Sequence, residues 1–209
     1  MRADPGTLVG QSVNDRNPTE YASAAEALRL MVLRGDGLTT TSLEILTGRE
    51  IGIQLVGQRS VLVTEPARAR ADGARARALE VRSRDELLIR RVNLTDAGST
   101  VYAVASTVAV LNRMPATVAH ALVETPMPFG KALAADGVAV TRELRRWGGY
   151  RAGWFAGALG PTLTPASVVA GRTYRLLSSE TGEPLAVITE RFAPRLFDRA
   201  IGAGTPEPE

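Results

Sequence analysis

The 209-residue sequence predicts an α+β fold, an antiparallel β-sheet with helices packed on one face. Three observations carry that expectation. Pairs of β-rich runs are joined by short Asp/Gly turns; β-α-β spacing is scarce; and the helical signals fall between the hairpins rather than alternating with single strands. At 22.2 kDa the length fits one domain with a sizeable core, assigned to residues 20–200, with a flexible N-terminus at 1–19 and a disordered tail at 201–209.

The elements follow in order. Ser23-Ala24-Ala25-Glu26 reads as a capping box ahead of Leu28, Met31 and Val32, with Gly35 placed to end the helix. After the Asp36-Gly37 turn, Leu38 to Leu46 reads as a short helix entered through a threonine cap and closed by Gly48. A strand is expected at Glu50 to Gln58. Leu87 to Leu94 and Val101 to Leu111 form a hairpin across Thr95 to Thr100. A helix follows at 115–124, opened by proline, then a short helical turn after Pro126-Met127-Pro128. Val138 to Trp147 reads as a strand, and Gly148 to Gly171, dense in Gly and Pro, as loops. The last hairpin pairs Tyr174 to Ser178 with Leu185 to Phe192.

Composition removes several function classes. There is no cysteine and His120 is the only histidine, so a zinc site of the usual nitrogen and sulfur ligands cannot be built. A Ser-His or Cys-His pair would have to use His120, which falls on a helix as a surface or half-buried residue. Neither a metal nor a cofactor is expected. The net charge of +3 and pI near 9.8 raise the question of nucleic acid. The densest basic stretch, Arg68 to Arg84, carries no aromatic residue to stack on a base and reads as a solvated loop; no nucleic-acid partner is expected. No apolar run approaches the roughly 18 residues of a membrane span. Met1 to Thr19 lacks the apolar segment of a secretory signal, which makes the cytoplasm the expected location.

Glu190 is the residue that most demands an explanation. In Ala186 to Phe192, period-two alternation puts it on the same side as Ala186, Ile188 and Phe192. A lone carboxylate there costs several kcal/mol to desolvate unless something pairs with it. Leu88, Arg90, Val92 and Leu94 place an arginine on an apolar face in the same way, with Arg91 and Asn93 opposite. The two readings are a structural ion pair between Arg90 and Glu190, or a pocket in which Arg90 grips a ligand carboxylate and Glu190 a hydroxyl.

An ordered set of segments resembles the chorismate pyruvate-lyases, and is most similar to the actinobacterial branch that makes 4-hydroxybenzoate. The set comprises Leu38-Thr39 after a turn, Arg90 in Leu-Ile-Arg-Arg-Val-Asn-Leu, Met127-Pro128-Phe129-Gly130, Thr141-Arg142-Glu143, and Tyr174-Arg175-Leu176 leading to Pro184 to Phe192. It runs from about Glu26 to Phe197. The resemblance implies an antiparallel sheet flanked by helices around an internal ligand cavity, and cofactor-independent loss of pyruvate from chorismate in aromatic or secondary metabolism. It implies that Arg90 binds the ring carboxylate and Glu190 the ring hydroxyl. Leu38-Thr39 and Phe129-Gly130 stand where the family has a Met-Thr and a Leu-Gly pair walling the pocket. Arg142 is a candidate for the enolpyruvyl carboxylate, and Thr39 and Ser106 for donating one hydrogen bond each. Two alternatives accompany this reading: a ligand-binding sensor domain of the same fold, for which Met1 to Thr19 is too short to add a winged-helix module, and a lyase-fold enzyme recruited to another substrate in specialised metabolism.

Overall fold

The computed structural model describes residues 24–35, 37–64 and 74–199. Its scaffold is one six-stranded sheet, β1 (Gly52–Leu62), β2 (Glu86–Thr95), β3 (Val101–Val110), β4 (Val140–Arg151), β5 (Val168–Ser178) and β6 (Pro184–Phe192). The spatial order is β1-β2-β3-β6-β5-β4 and every pairing is antiparallel. The β2–β3 turn is set by Asp96, which accepts from the Thr100 N–H at 2.9 Å, from Arg49 at 2.6 Å and from the Tyr102 hydroxyl at 3.0 Å. Those contacts, the Thr100 N–H first, hold its pKa down to about 2.

The helices are α1 (Ala24–Arg34), α2 (Thr39–Thr47), α3 (Ala74–Ala78), α4 (Ala116–Glu124), α5 (Phe129–Ala135), α6 (Ala156–Leu159) and α7 (Arg195–Arg199). On the first face of the sheet, Val118, Leu122, Phe129 and Leu133 of α4 and α5 pack on Leu88, Ala109, Ala186 and Leu176. Val32, Leu33 and Leu43 of α1 and α2 pack on Val92, Leu94, Ala105 and Phe192 at the other end. His120 is exposed on α4.

The second face is covered too, which corrects the expectation of helices on one face only. Its valines, Val104, Val110 and Val187, are buried under Phe155, Ala156 and Leu159 at one end and Val63 and Leu79 at the other. The central strands present valines on the second side as well, so that side is covered at both ends.

Four other expectations shift. Gly148 to Arg151 is strand rather than turn, and β5 begins at Val168 rather than Tyr174. The stretch from Ala74 to Arg84 is not a solvated loop, because Ala76 and Leu79 are buried. Gly48 closes α2 at φ 63° as expected, but Leu38 is the N-cap residue and no side chain caps the helix. The hydroxyl of Thr39 is committed elsewhere. Ser23 of the expected capping box, residues 65–73 and both termini lie outside the described residues. No described helix is long and apolar enough to cross a membrane.

Candidate functional site

The first face of β3 presents only small side chains, Ala103, Ala105, Thr107 and Ala109. With β2 and β6 on either side, that floor leaves space under α2 and α5. A cavity fills it, lined by apolar Val92, Leu94, Leu176 and Ile188 and by polar Thr39, Arg90, Thr107, Arg142, Tyr174 and Glu190, with Leu38, Phe129 and Gly130 at its wall.

Register explains which residues meet. One row across the sheet is Leu55, Val92, Ala105, Glu190, Arg172 and Trp147. The next is Gln58, Arg90, Thr107, Ile188, Tyr174 and Leu144. Arg90 and Glu190 therefore stand two strands and one row apart, with Ala105 and Thr107 of β3 between them. The ion-pair reading of these two residues is not what the fold adopts.

Glu190 is paired with Arg172 instead. Arg172 Nε donates to Glu190 Oε2 at 2.6 Å, and its remaining nitrogens donate to Val32 O at 2.6 Å, Gly35 O at 2.9 Å and Thr39 Oγ1 at 2.8 Å. Thr39 Oγ1 donates to Glu190 Oε1 at 2.6 Å, and the Tyr174 hydroxyl donates to the same oxygen at 3.0 Å. Burial by itself would raise the Glu190 pKa; the Arg172 charge and the Thr39 and Arg172 hydrogen bonds outweigh it and hold the carboxyl below its ordinary value. Burial first, then the adjacent carboxylate, pushes the Tyr174 hydroxyl upward, so it stays a donor. An ionised carboxylate has about four acceptor positions, and three are taken. One is left open.

Arg90 is different. It is 3% exposed, yet among the described residues it has no carboxylate partner. Its Nη1 donates to Met127 O at 2.8 Å and its Nη2 to Thr125 O at 3.0 Å, while Nε is buried without any partner. Desolvation lowers its pKa, but a guanidinium keeps its proton in proteins. Arg90 thus sets a buried cation with spare donors on the cavity wall.

Arg142 reaches the same cavity from β4. Its Nη1 donates to Gly37 O at 2.6 Å and its guanidinium lies 4.2 Å from the Tyr174 ring centroid. It clasps the loop ahead of α2. The structure thus brings together Arg90, Glu190, Leu38, Thr39, Phe129, Gly130 and Arg142. Ser106 is the exception and a correction: it pairs with Thr189, one residue out of phase with Glu190, so it points to the second face and accepts from Arg75 Nη1 at 2.8 Å. Thr107 takes the place on the cavity floor. Arg172, Thr107 and Tyr174 are the polar residues that sequence reasoning did not assign; Arg172 sits just beyond the glycines that were read as a loop.

No cluster of three or more His, Cys, Asp or Glu able to hold a metal occurs among the described residues. Residues 33–199 match a protein family described as chorismate pyruvate-lyase Rv2949c-like. No curated protein matches the sequence. Among solved structures, the effector domain of PhnF from Mycobacterium smegmatis is similar at 15% identity and a TM-score of 0.55, covering 77% of this chain and 91% of that one. Whole PhnF gives 16% and 0.55, with 79% and 66% covered. Gene product SA0254 from Staphylococcus aureus gives 8% and 0.53, with 78% and 92% covered. At these identities the likeness concerns the fold.

Proposed function

The chain belongs to the Rv2949c-like chorismate pyruvate-lyase family, and from that premise we propose that it eliminates pyruvate from chorismate to give 4-hydroxybenzoate in the Arg90–Glu190 cavity. The observation that carries the reading is Arg90: a buried guanidinium with an unpartnered Nε, across the small floor of β3 from a carboxylate with one acceptor position left. Chorismate offers a carboxylate at one end of its ring and a hydroxyl at the other.

In this reading Arg90 holds the ring carboxylate and Glu190 accepts from the ring hydroxyl. Arg142 faces the enolpyruvyl carboxylate, and Thr107 and Thr39 flank the ether. The ring-to-oxygen ether bond breaks, the hydrogen on the hydroxyl-bearing ring carbon passes to the enolpyruvyl methylene, the ring becomes aromatic and pyruvate leaves. Aromatisation supplies the driving force. The protein's part is to fold the side chain over that hydrogen, exclude water and stabilise charge on the ether oxygen. No cofactor or metal enters the scheme.

Purified protein is expected to release pyruvate and 4-hydroxybenzoate in equal amounts from chorismate with a chelator present. Loss of turnover in EDTA restored by a divalent ion would sink the mechanism, and 3-hydroxybenzoate as product would overturn the regiochemistry. Saturable ligand binding with no turnover would favour a sensor instead, the reading that the shared fold with the PhnF effector domain supports.

Product release depends on the wall. A Cβ added at Gly130 would lie 2.5 Å from Leu38 Cδ2, so α5 and the start of α2 close on each other through that pair. Gly130→Ala must displace the tip of Leu38 and prise the wall open. Its expected result is a several-fold faster dissociation of 4-hydroxybenzoate in stopped-flow displacement, with the melting temperature little changed.

A further inference from the structure

The second face of the sheet carries a polar row that the proposed reaction does not use. Gly57, Arg91, Ser106, Thr189, Thr173 and Arg146 stand side by side across the six strands. The three hydroxyl residues at its centre are linked. Thr173 and Thr189 Oγ1 are 3.1 Å apart, Tyr150 donates to Thr173 Oγ1 at 2.9 Å, and Arg75 donates to Ser106 at 2.8 Å and to Thr189 at 3.3 Å. Arginines frame the row on aromatic platforms. The Arg146 guanidinium lies 4.5 Å from the Tyr150 ring centroid, Arg91 4.4 Å from Trp154, and Arg191 5.7 Å from Tyr150 and 5.4 Å from Phe155.

Tyr150 can lie there because residue 171 is glycine. A Cβ at Gly171 would come 2.8 Å from Tyr150 Cδ2 and 2.7 Å from Glu190 O. The platform is therefore built into the strand sequence.

Among the described residues, Arg91, Arg146 and Arg191 make no ion pair. Glu143 pairs with Arg145 and Arg175, and Glu80 with Arg175, among the described residues. Burial, followed by repulsion from Arg75 and Arg146, lowers the Arg191 pKa. Arg146 and Arg191 face the same Tyr150 ring, whose hydroxyl bonds Thr173, and two guanidiniums brought together in this way match the fork-shaped recognition of an oxyanion.

We propose that this second face binds a small molecule bearing a phosphate or carboxylate group, held by Arg146 and Arg191 beside the Thr173 hydroxyl. The site is separated from the Arg90 cavity by the thickness of the sheet and stands whether or not the chain is a lyase.

The experiment titrates the full chain with inorganic phosphate and, separately, citrate, against sodium chloride at matched ionic strength. One of the two anions is expected to raise the melting temperature by about 3–5 °C at ten times its Kd. Whichever saturates at the lower concentration identifies the oxyanion as phosphate or carboxylate. The shift should vanish in the Arg146→Gln/Arg191→Gln double variant and persist in Arg145→Gln. Trp154, stacked on the Phe155 ring that Arg191 faces, gives an independent fluorescence readout, and its saturable change should be absent in the double variant and retained in Arg145→Gln. Equal shifts in chloride, full retention in the double variant, or competition with 4-hydroxybenzoate would each overturn the proposal. So would binding of an oligonucleotide where neither small anion binds.

Discussion

Arg90→Lys is expected to lower kcat/KM for chorismate by about 30- to 150-fold, the equivalent of the roughly 2–3 kcal/mol carried by a charge-assisted hydrogen bond lost from a buried site. Lysine keeps the charge but not the fork: Arg90 reaches Met127 O and Thr125 O from two different nitrogens, and a single ammonium nitrogen cannot span both and grip a carboxylate bidentately. The loss should fall mainly on KM and on 4-hydroxybenzoate affinity, because the carboxylate is gripped in substrate and product alike. Arg59→Lys, exposed on neighbouring β1, should be silent. Equal losses at the two positions would show that charge near the sheet matters and the cavity does not.

Arg172→Leu carries the largest expected cost in stability. It removes the only ion-pair partner of Glu190 among the described residues and leaves a buried carboxylate, for which about 3–5 kcal/mol is the usual penalty. Denaturant titration measures it directly. The pH dependence should also change sign. In the wild type the Glu190 pKa is depressed, so its contribution to stability is present above the ordinary glutamate value and fades as pH falls through the depressed one. Without Arg172, desolvation wins and the folded pKa rises above the unfolded one. The native variant then binds the extra proton, and its stability falls as pH rises through that window. A variant whose stability keeps rising with pH over the same range would mean that Thr39, Tyr174 and Arg142 suffice to hold the charge.

These two residues also mark what could be read from the chain. Arg90 and Glu190 were legible because each interrupts an apolar alternation, and a charge on a buried face has few explanations. The hairpins were legible from their turn residues. Arg172 was hidden by its neighbours. Gly148, Gly149 and Gly171 read as loop, yet Gly171 is in the strand because the Tyr150 ring lies against it. Ser106 was misplaced for a different reason. It and Thr107 are adjacent and chemically alike, and only the pairing of β3 with β6 decides which one shares the face of Glu190. Strand register is a relation between distant segments, and one sequence does not print it.

The small floor of β3 has a consequence for the protein's lifetime. Ala105 and Thr107 make room beside the buried Arg90 guanidinium, so an occupant of the cavity adds contacts that these small side chains do not supply. Proteolysis in a cell samples the opened chain, and an occupant that binds only the closed one suppresses that population in proportion to its concentration. The steady-state amount of this protein should therefore follow the supply of its ligand, rising when precursor is plentiful and declining when it is withdrawn, without any change in transcription. Ala105→Val, which fills part of the floor, should uncouple the two and yield a chain whose abundance no longer reports what it binds.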